Sequence, residues 1–186
     1  MRLHRYLKEE NIDLTFDPFE VEADPWEEFA DEDGEVDLTA LTERQRFRRK
    51  EAIIQGLVRL LEPGGKISNP KKCYLDLRNR EAKATTGFGM GIAMPHVRTQ
   101  QARDFVIGVA IAPDPGFWFD AVDDEPVRIF FPMIAPTHND RFYRKVEAAL
   151  AQAFLEDEEE QLRRTLLAAE DPGEVIWRLR DIIDQA

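Results

Sequence analysis

Two runs of the chain, RDFVIGVAIA at 103–112 and PVRIFFPMIA at 126–135, are dense in β-branched, aromatic and other apolar residues and offer no polar face. A strand with one wet side alternates apolar and polar residues. A short continuous apolar run reads instead as a strand buried on both sides. A sheet with two dry faces needs cover on each, and that requirement sets what the remaining residues must build.

They carry the pattern for helices. In TERQRFRRKEAIIQGLVRLLEPGG, which begins at Thr42, residues Phe47, Ile53, Ile54, Leu57, Val58 and Leu61 recur at three- and four-residue steps, the spacing of one helical face. Thr42 suits the N-cap, and Pro63-Gly64-Gly65 suits the stop. Asn69 followed by Pro70 predicts a second helix through KKCYLDLRNREA. Three more are predicted after the second apolar run: DRFYRKVEAALAQAFL, EDEEEQLRRTLLAAE and DPGEVIWRLRDIIDQA, the last opened by Asp171 and Pro172. NIDLTF at 11–16 alternates well enough for a short edge strand, and GFWFDAVDDE reads as a short strand with an acidic turn. The predicted fold class is α/β, a single domain with a mixed central β-sheet flanked by helices.

A chain of 186 residues, 43% hydrophobic and 33% charged, suits one soluble domain whose core folds without staples. Its one cysteine, Cys73, excludes an internal disulfide and fits a reducing compartment. The N-terminal MRLHRYLKEENIDL lacks the apolar core of a secretory signal, and no run approaches the roughly 20 apolar residues that span a bilayer. The expectation is a cytoplasmic protein with no direct membrane insertion. A net charge of −12 repels phosphates, so nucleic acid is not an expected partner. The basic cluster RQRFRRK at 44–50 reads as an exposed helix face.

Residues 17 to 37, DPFEVEADPWEEFADEDGEVD, hold many carboxylates and no lysine or arginine. Such a segment tends to stay loose, although Trp26 and Phe29 are candidates to pin it. The expected organisation is an N-terminal segment at 1–16 with the first strand, an acidic insertion or loop at 17–41, and the bulk of the domain at 42–186.

The stretch TTGFGMGIAMPHVR at 85–98 carries the chemistry. A dinucleotide loop needs a strand before its glycines and a helix after them, whereas here Gly87, Gly89 and Gly91 precede an extended IAMP. Glycine also lets a backbone lie close to another surface. Pro95 fixes its own backbone angle and restricts Met94, so His96 is held on stiff main chain. His4, His96, His138 and Cys73 lack a metal-ligand spacing, and no cofactor is expected. A nucleophilic histidine fits better. An imidazole is mostly neutral at pH 7 and has a nitrogen lone pair, and attack on a phosphoryl group needs positioning and positive charge more than covalent machinery. Arginine suits the phosphoryl oxygens.

TTGFGMGIAMPHVR resembles the signature of the enzyme IIA domains of the phosphoenolpyruvate-dependent sugar phosphotransferase system, fructose/mannitol type, including the nitrogen-regulatory branch. The family's RE pair sixteen residues before its histidine is matched by Arg80-Glu81. FDAVDDEPVRIFFPMIAP and LLAAEDPGEVIWRL resemble two further family blocks, so the likeness covers about 42–185. It implies that His96 accepts a phosphoryl group from a histidine phosphocarrier protein. His96 then passes it to an enzyme IIB, or uses it to regulate target proteins. With no fused IIB or IIC segment in the chain, the expectation leans to the nitrogen-type regulator. The resemblance gives Arg80 the role of neutralising phosphoryl charge, with backbone N–H groups at Gly89, Met90 and Gly91 as added donors. Phe88 and Met90 are assigned to a docking collar and Met94 to the core. Arg98 either steers the phosphate or is simply solvated. The chain departs from the family at its usual second histidine, where Tyr143 stands; His138, five residues earlier, is the candidate substitute. A phosphorylation-impaired regulatory binding protein of the same fold is the alternative. The acidic segment is expected to lie away from His96 or to gate it, because carboxylates beside an accepting histidine oppose the incoming group.

Overall fold

The computed structural model describes residues 5–138, 140–157 and 160–184. Both apolar runs form strands, and each run is split in two. Eight strands are present among the described residues: β1 (Ile12–Asp13), β2 (Gly87–Gly89), β3 (Ile92–Ala93), β4 (His96–Thr99), β5 (Val106–Ile107), β6 (Val109–Ile111), β7 (Ile129–Phe130) and β8 (Met133–Pro136). They pair as a five-stranded sheet in the order β1-β6-β7-β3-β2 and a three-stranded sheet in the order β4-β8-β5. Parallel and antiparallel pairs mix in both. The two sheets share the same chains. β3 runs on to β4 through Met94-Pro95, β5 to β6 through Gly108, and β7 to β8 through Phe131-Pro132. Two prolines in neighbouring strands cannot donate to the ladder, so the regular pairing stops there. The backbone still bonds across the break, Met133 N–H to the Pro95 carbonyl at 2.8 Å and Gly108 N–H to the Pro132 carbonyl at 2.9 Å. Gly108 has no room for a side chain: a Cβ there would come within 2.8 Å of Leu61 and 2.9 Å of the Asn11 carbonyl.

The sheet is dry on both faces, as the apolar runs require. Ile92, Val109, Ile111, Ile129 and Met133 enter one core, and Ala93, Ala110, Phe130 and Ile134 enter the other. Helices α1 (Glu43–Leu61) and α2 (Pro70–Glu81) cover the second core. Helices α3 (Asp140–Leu155), α4 (Gln161–Leu167) and α5 (Pro172–Asp184) cover the first. Thr42 caps α1 in a complete capping box with Gln45, and Asn69 caps α2 ahead of Pro70 by accepting from Lys72 N–H at 3.0 Å. The helix predicted from Glu156 begins at Gln161, and residues 158–159 and 185–186 lie outside the described residues.

Three expectations need correcting. GFWFDAVDDE forms no named strand; Phe117 makes a single antiparallel bridge to Val127. Lys50, the last residue of the basic cluster, is 1% exposed rather than on a solvated face. The acidic segment is not loose. Trp26 is buried and donates its indole N–H to the Gln45 carbonyl at 3.0 Å. Asp24 pairs with Arg49 at 2.8 Å and Glu22 with Arg59 at 2.9 Å. The basic face of α1 thus holds the carboxylates that the segment brings.

Candidate functional site

The break in the sheet sets the position of His96. It is the first residue of β4, directly after Pro95, and β4 is an edge strand. At an edge, a side chain can be reached from helices on either face. From one face comes Arg80, in the last turn of α2, which packs on β4. Its Nη2 lies 3.4 Å from His96 Nε2, while its Nη1 donates to the Ala84 carbonyl at 2.9 Å. From the other face comes α3. Tyr143 sets its ring 5.8 Å from the imidazole at an angle of 34°, and Glu147, one turn later, brings Oε1 to 3.2 Å from His96 Nδ1. The Met94 carbonyl lies 2.9 Å from the same Nδ1.

These neighbours fix the tautomer of the neutral ring. Nδ1 faces two oxygens that only accept, so it carries the proton. Nε2 faces a guanidinium that only donates, so it keeps the lone pair. The imidazole side chain is 12% exposed. Nε2 is therefore the ring nitrogen with a lone pair, and it faces a fixed positive group.

A cleft of about 830 Å³ opens over it, lined by Arg80, His96, Arg98 and Tyr143 together with Asp76, Asn79, Lys83 and Thr137. On a chain of net charge −12, three cations, Arg80, Lys83 and Arg98, share this wall with one carboxylate, Asp76. Such local segregation concentrates anions. Asp76 is also engaged, since Thr99 Oγ1 donates to it at 2.5 Å and so ties β4 to α2.

Of the residues singled out from sequence, the structure brings together His96, Arg80, Arg98 and Tyr143. It separates the others. Gly89, Met90 and Gly91 form the tip of the β2–β3 hairpin, with φ of 97°, 56° and 74°. Five residues of largely extended chain, about 16 Å, part Gly91 from His96. The Met90 N–H is taken by Asp123 at 2.7 Å and its carbonyl by Arg163 at 2.9 Å, so the tip lines a different cleft, with Asp114 and Arg128. Phe88 is half-buried against the core, and Met94 is buried within it. Neither Phe88 nor Met90 lines the His96 cleft. His138 is exposed and does not line the cleft, although its neighbour Thr137 does. No residue of the acidic segment lines it either. Glu147 escaped the sequence reading. Its only signal was the four-residue step from Tyr143, which puts both on one helix face.

A family model described as phosphoenolpyruvate-dependent sugar phosphotransferase system, EIIA 2, matches residues 37–181. The chain belongs to this family. Within the EIIA 2 family, it is 29% identical over 135 residues to the fructose-specific EIIA component of Haloferax volcanii, covering 73% of this chain and 85% of that protein. It also matches the fructose-specific EIIABC component of Bacillus subtilis at 29% identity, over only 20% of that longer protein. Its fold is that of the nitrogen regulatory protein IIA-Ntr from Neisseria meningitidis, with a TM-score of 0.69 at 20% identity, covering 97% of this chain and 98% of that one. It is also that of the Escherichia coli mannitol IIA solved with phosphorylated mannitol IIB, with a TM-score of 0.61 at 19% identity over 97% and 99% of the two chains. The match to the EIIA 2 model covers every element from α1 to α4 and most of α5. No helix among the described residues is long and apolar enough to cross a membrane.

Proposed function

We propose that His96 is the phosphoryl acceptor and that it reacts through Nε2. The observation that carries this reading is the ring's two-sided clamp, with Nδ1 bonded to the Met94 carbonyl and Glu147 and Nε2 open toward Arg80. The Nε2 lone pair attacks the phosphorus of a phosphohistidine carrier. The Nε2–P bond forms as the carrier's N–P bond breaks, and that electron pair leaves with the carrier's ring. The proton on Nδ1 stays, so the phosphorylated ring gains positive charge, which the Glu147 carboxylate offsets. Arg80 meets the negative charge on the equatorial oxygens, and Lys83 and Arg98 draw the phosphorylated partner in.

The phosphoryl group then goes to an enzyme IIB or serves as a regulatory signal to a target protein. The basic cleft and the mannitol relative solved with its phosphorylated IIB support the first destination. Incubation with a phosphorylated carrier is expected to add one acid-labile phosphate per chain, and His96→Ala to add none. An unlabelled wild type with a competent donor would contradict the proposal.

A second reading, a regulator impaired in phosphorylation, is favoured by one observation. Tyr143 occupies the wall against the imidazole, and its hydroxyl donates a hydrogen bond but carries no positive charge. If Tyr143→His raises the labelling rate sharply, the wild-type site is tuned down. If the rate is unchanged, the tyrosine is neutral and this reading loses its support.

A further inference from the structure

Arg80 sits in the last turn of α2, just before a loop, yet its guanidinium must be aimed. The segment that holds it, Arg80 to Thr86, closes on itself twice. The Arg80 guanidinium bonds the Ala84 carbonyl. The carboxylate of the next residue, Glu81, accepts from both Thr86 N–H at 2.8 Å and Thr86 Oγ1 at 2.6 Å. Glu81 is 2% exposed, and a buried carboxylate needs a cation. That cation comes from α1. Lys50 Nζ lies 2.7 Å from Glu81 Oε1, donates to Thr85 Oγ1 at 2.9 Å and sits 4.5 Å from the centre of the Phe119 ring. Asp120, mostly exposed, is a weaker neighbour at 3.8 Å. Lys50 thus holds the start of the loop through Glu81 and its end through Thr85. It belongs to α1 and does not itself line the His96 cleft.

We propose that Lys50 is a positioning residue for phosphoryl transfer. By neutralising Glu81 and gripping Thr85, it keeps the 80–86 loop closed and so keeps the Arg80 guanidinium on the phosphoryl position. This rests on the reading of His96 as phosphoryl acceptor. The alternative is that the lysine stem merely fills space between α1 and the sheet, and the two differ in what methionine does there. Lys50→Met keeps the apolar stem and removes the charge. A filler role leaves Arg80 undisturbed, whereas the positioning role leaves Glu81 buried without a cation and opens the loop. Lys50→Met with Glu81→Gln removes both charges. The amide of residue 81 can still accept from Thr86, so the loop closes again.

The test reads Arg80 directly, which separates it from any failure of the phosphoryl-acceptor reading. In wild type, the Arg80 side-chain ¹⁵Nε signal and the His96 ring ¹⁵N signals are expected to report an ordered guanidinium and a fixed tautomer. In Lys50→Met, the Arg80 signal is expected to broaden or to shift to the free-arginine position. In the double variant it is expected to return. Where carrier-dependent labelling is measurable, Lys50→Met is expected to slow it by up to roughly 10²-fold at saturating carrier, the size of a misplaced catalytic group, with KM little changed and the double variant recovering most of the loss. A folded Lys50→Met with the wild-type Arg80 signal would overturn the proposal. So would a double variant whose Arg80 is mobile, and that second arm decides the matter if Lys50→Met alone does not fold.

Discussion

Arg80 and Glu147 divide the two edges of one imidazole, and the division makes distinct expectations for each. At Arg80 the planar fork matters, because one nitrogen bonds Ala84 while the other faces Nε2. A lysine ammonium carries the charge without the fork. Arg80→Lys is therefore expected to slow carrier-dependent phosphorylation by about 10²-fold, close to the loss in Arg80→Gln, in single-turnover labelling. Glu147→Gln keeps an oxygen for Nδ1 to donate to and removes only the charge. The expected cost is about tenfold, one charge-assisted hydrogen bond at a half-exposed site. Cys73 offers a separate test at this scale. Burial pushes its thiol from the ordinary 9.0 up to about 12, with Asp76 and Glu62 adding to the shift. The thiolate is the reactive form, so alkylation of the native protein at pH 8 is expected to be slower than in urea by about 10²-fold. The group is neutral in the native state and ionises more readily when unfolded. Its share of stability is thus complete below pH 9.0 and is lost as pH rises toward about 12.

Among the elements, the helix starts were legible because capping is local chemistry. Thr42 with Gln45, and Asn69 with Pro70, act over three or four residues that the sequence displays side by side. Thr42→Ala is expected to lower stability by about 1 kcal/mol, read as a shift in the urea midpoint at constant slope. The central strands were legible too, from the density of apolar residues at 103–112 and 126–135. Their division into two sheets was not. It depends on Pro95, Gly108 and Pro132 falling side by side once the strands pair, and that juxtaposition has no trace in any one segment. The site divides in the same way. His96, Arg80 and Tyr143 could be picked out by motif, whereas Glu147 reaches the ring only because α3 packs across β8. The hairpin tip at Gly89 to Gly91 shows the converse, its Met90 N–H held by Asp123. Nearness in sequence to His96 suggested nearness in space, and extended backbone carried it away.

For the whole molecule, charge is segregated rather than averaged. The acidic segment is clamped to α1 by Trp26, by Asp24 on Arg49 and by Glu22 on Arg59, while the cations Arg80, Lys83 and Arg98 face the histidine cleft. Trp26→Ala is expected to cost about 3 kcal/mol and to open residues 17–37 to a glutamate-specific protease. Because the segment does not line the cleft, labelling of the folded variant is expected to stay within about twofold of wild type. A larger loss would mean that the acidic segment gates His96. The atom that bonds phosphorus, proposed to be Nε2 of His96, can be read directly. Long-range ¹H–¹⁵N correlation spectra of the phosphorylated, ¹⁵N-labelled protein, with ³¹P coupling, identify that atom. Phosphorus on Nε2 of His96, with the proton retained on Nδ1 against Glu147, is the expected result. Phosphorus on Nδ1, or a label that survives in His96→Ala, would contradict it.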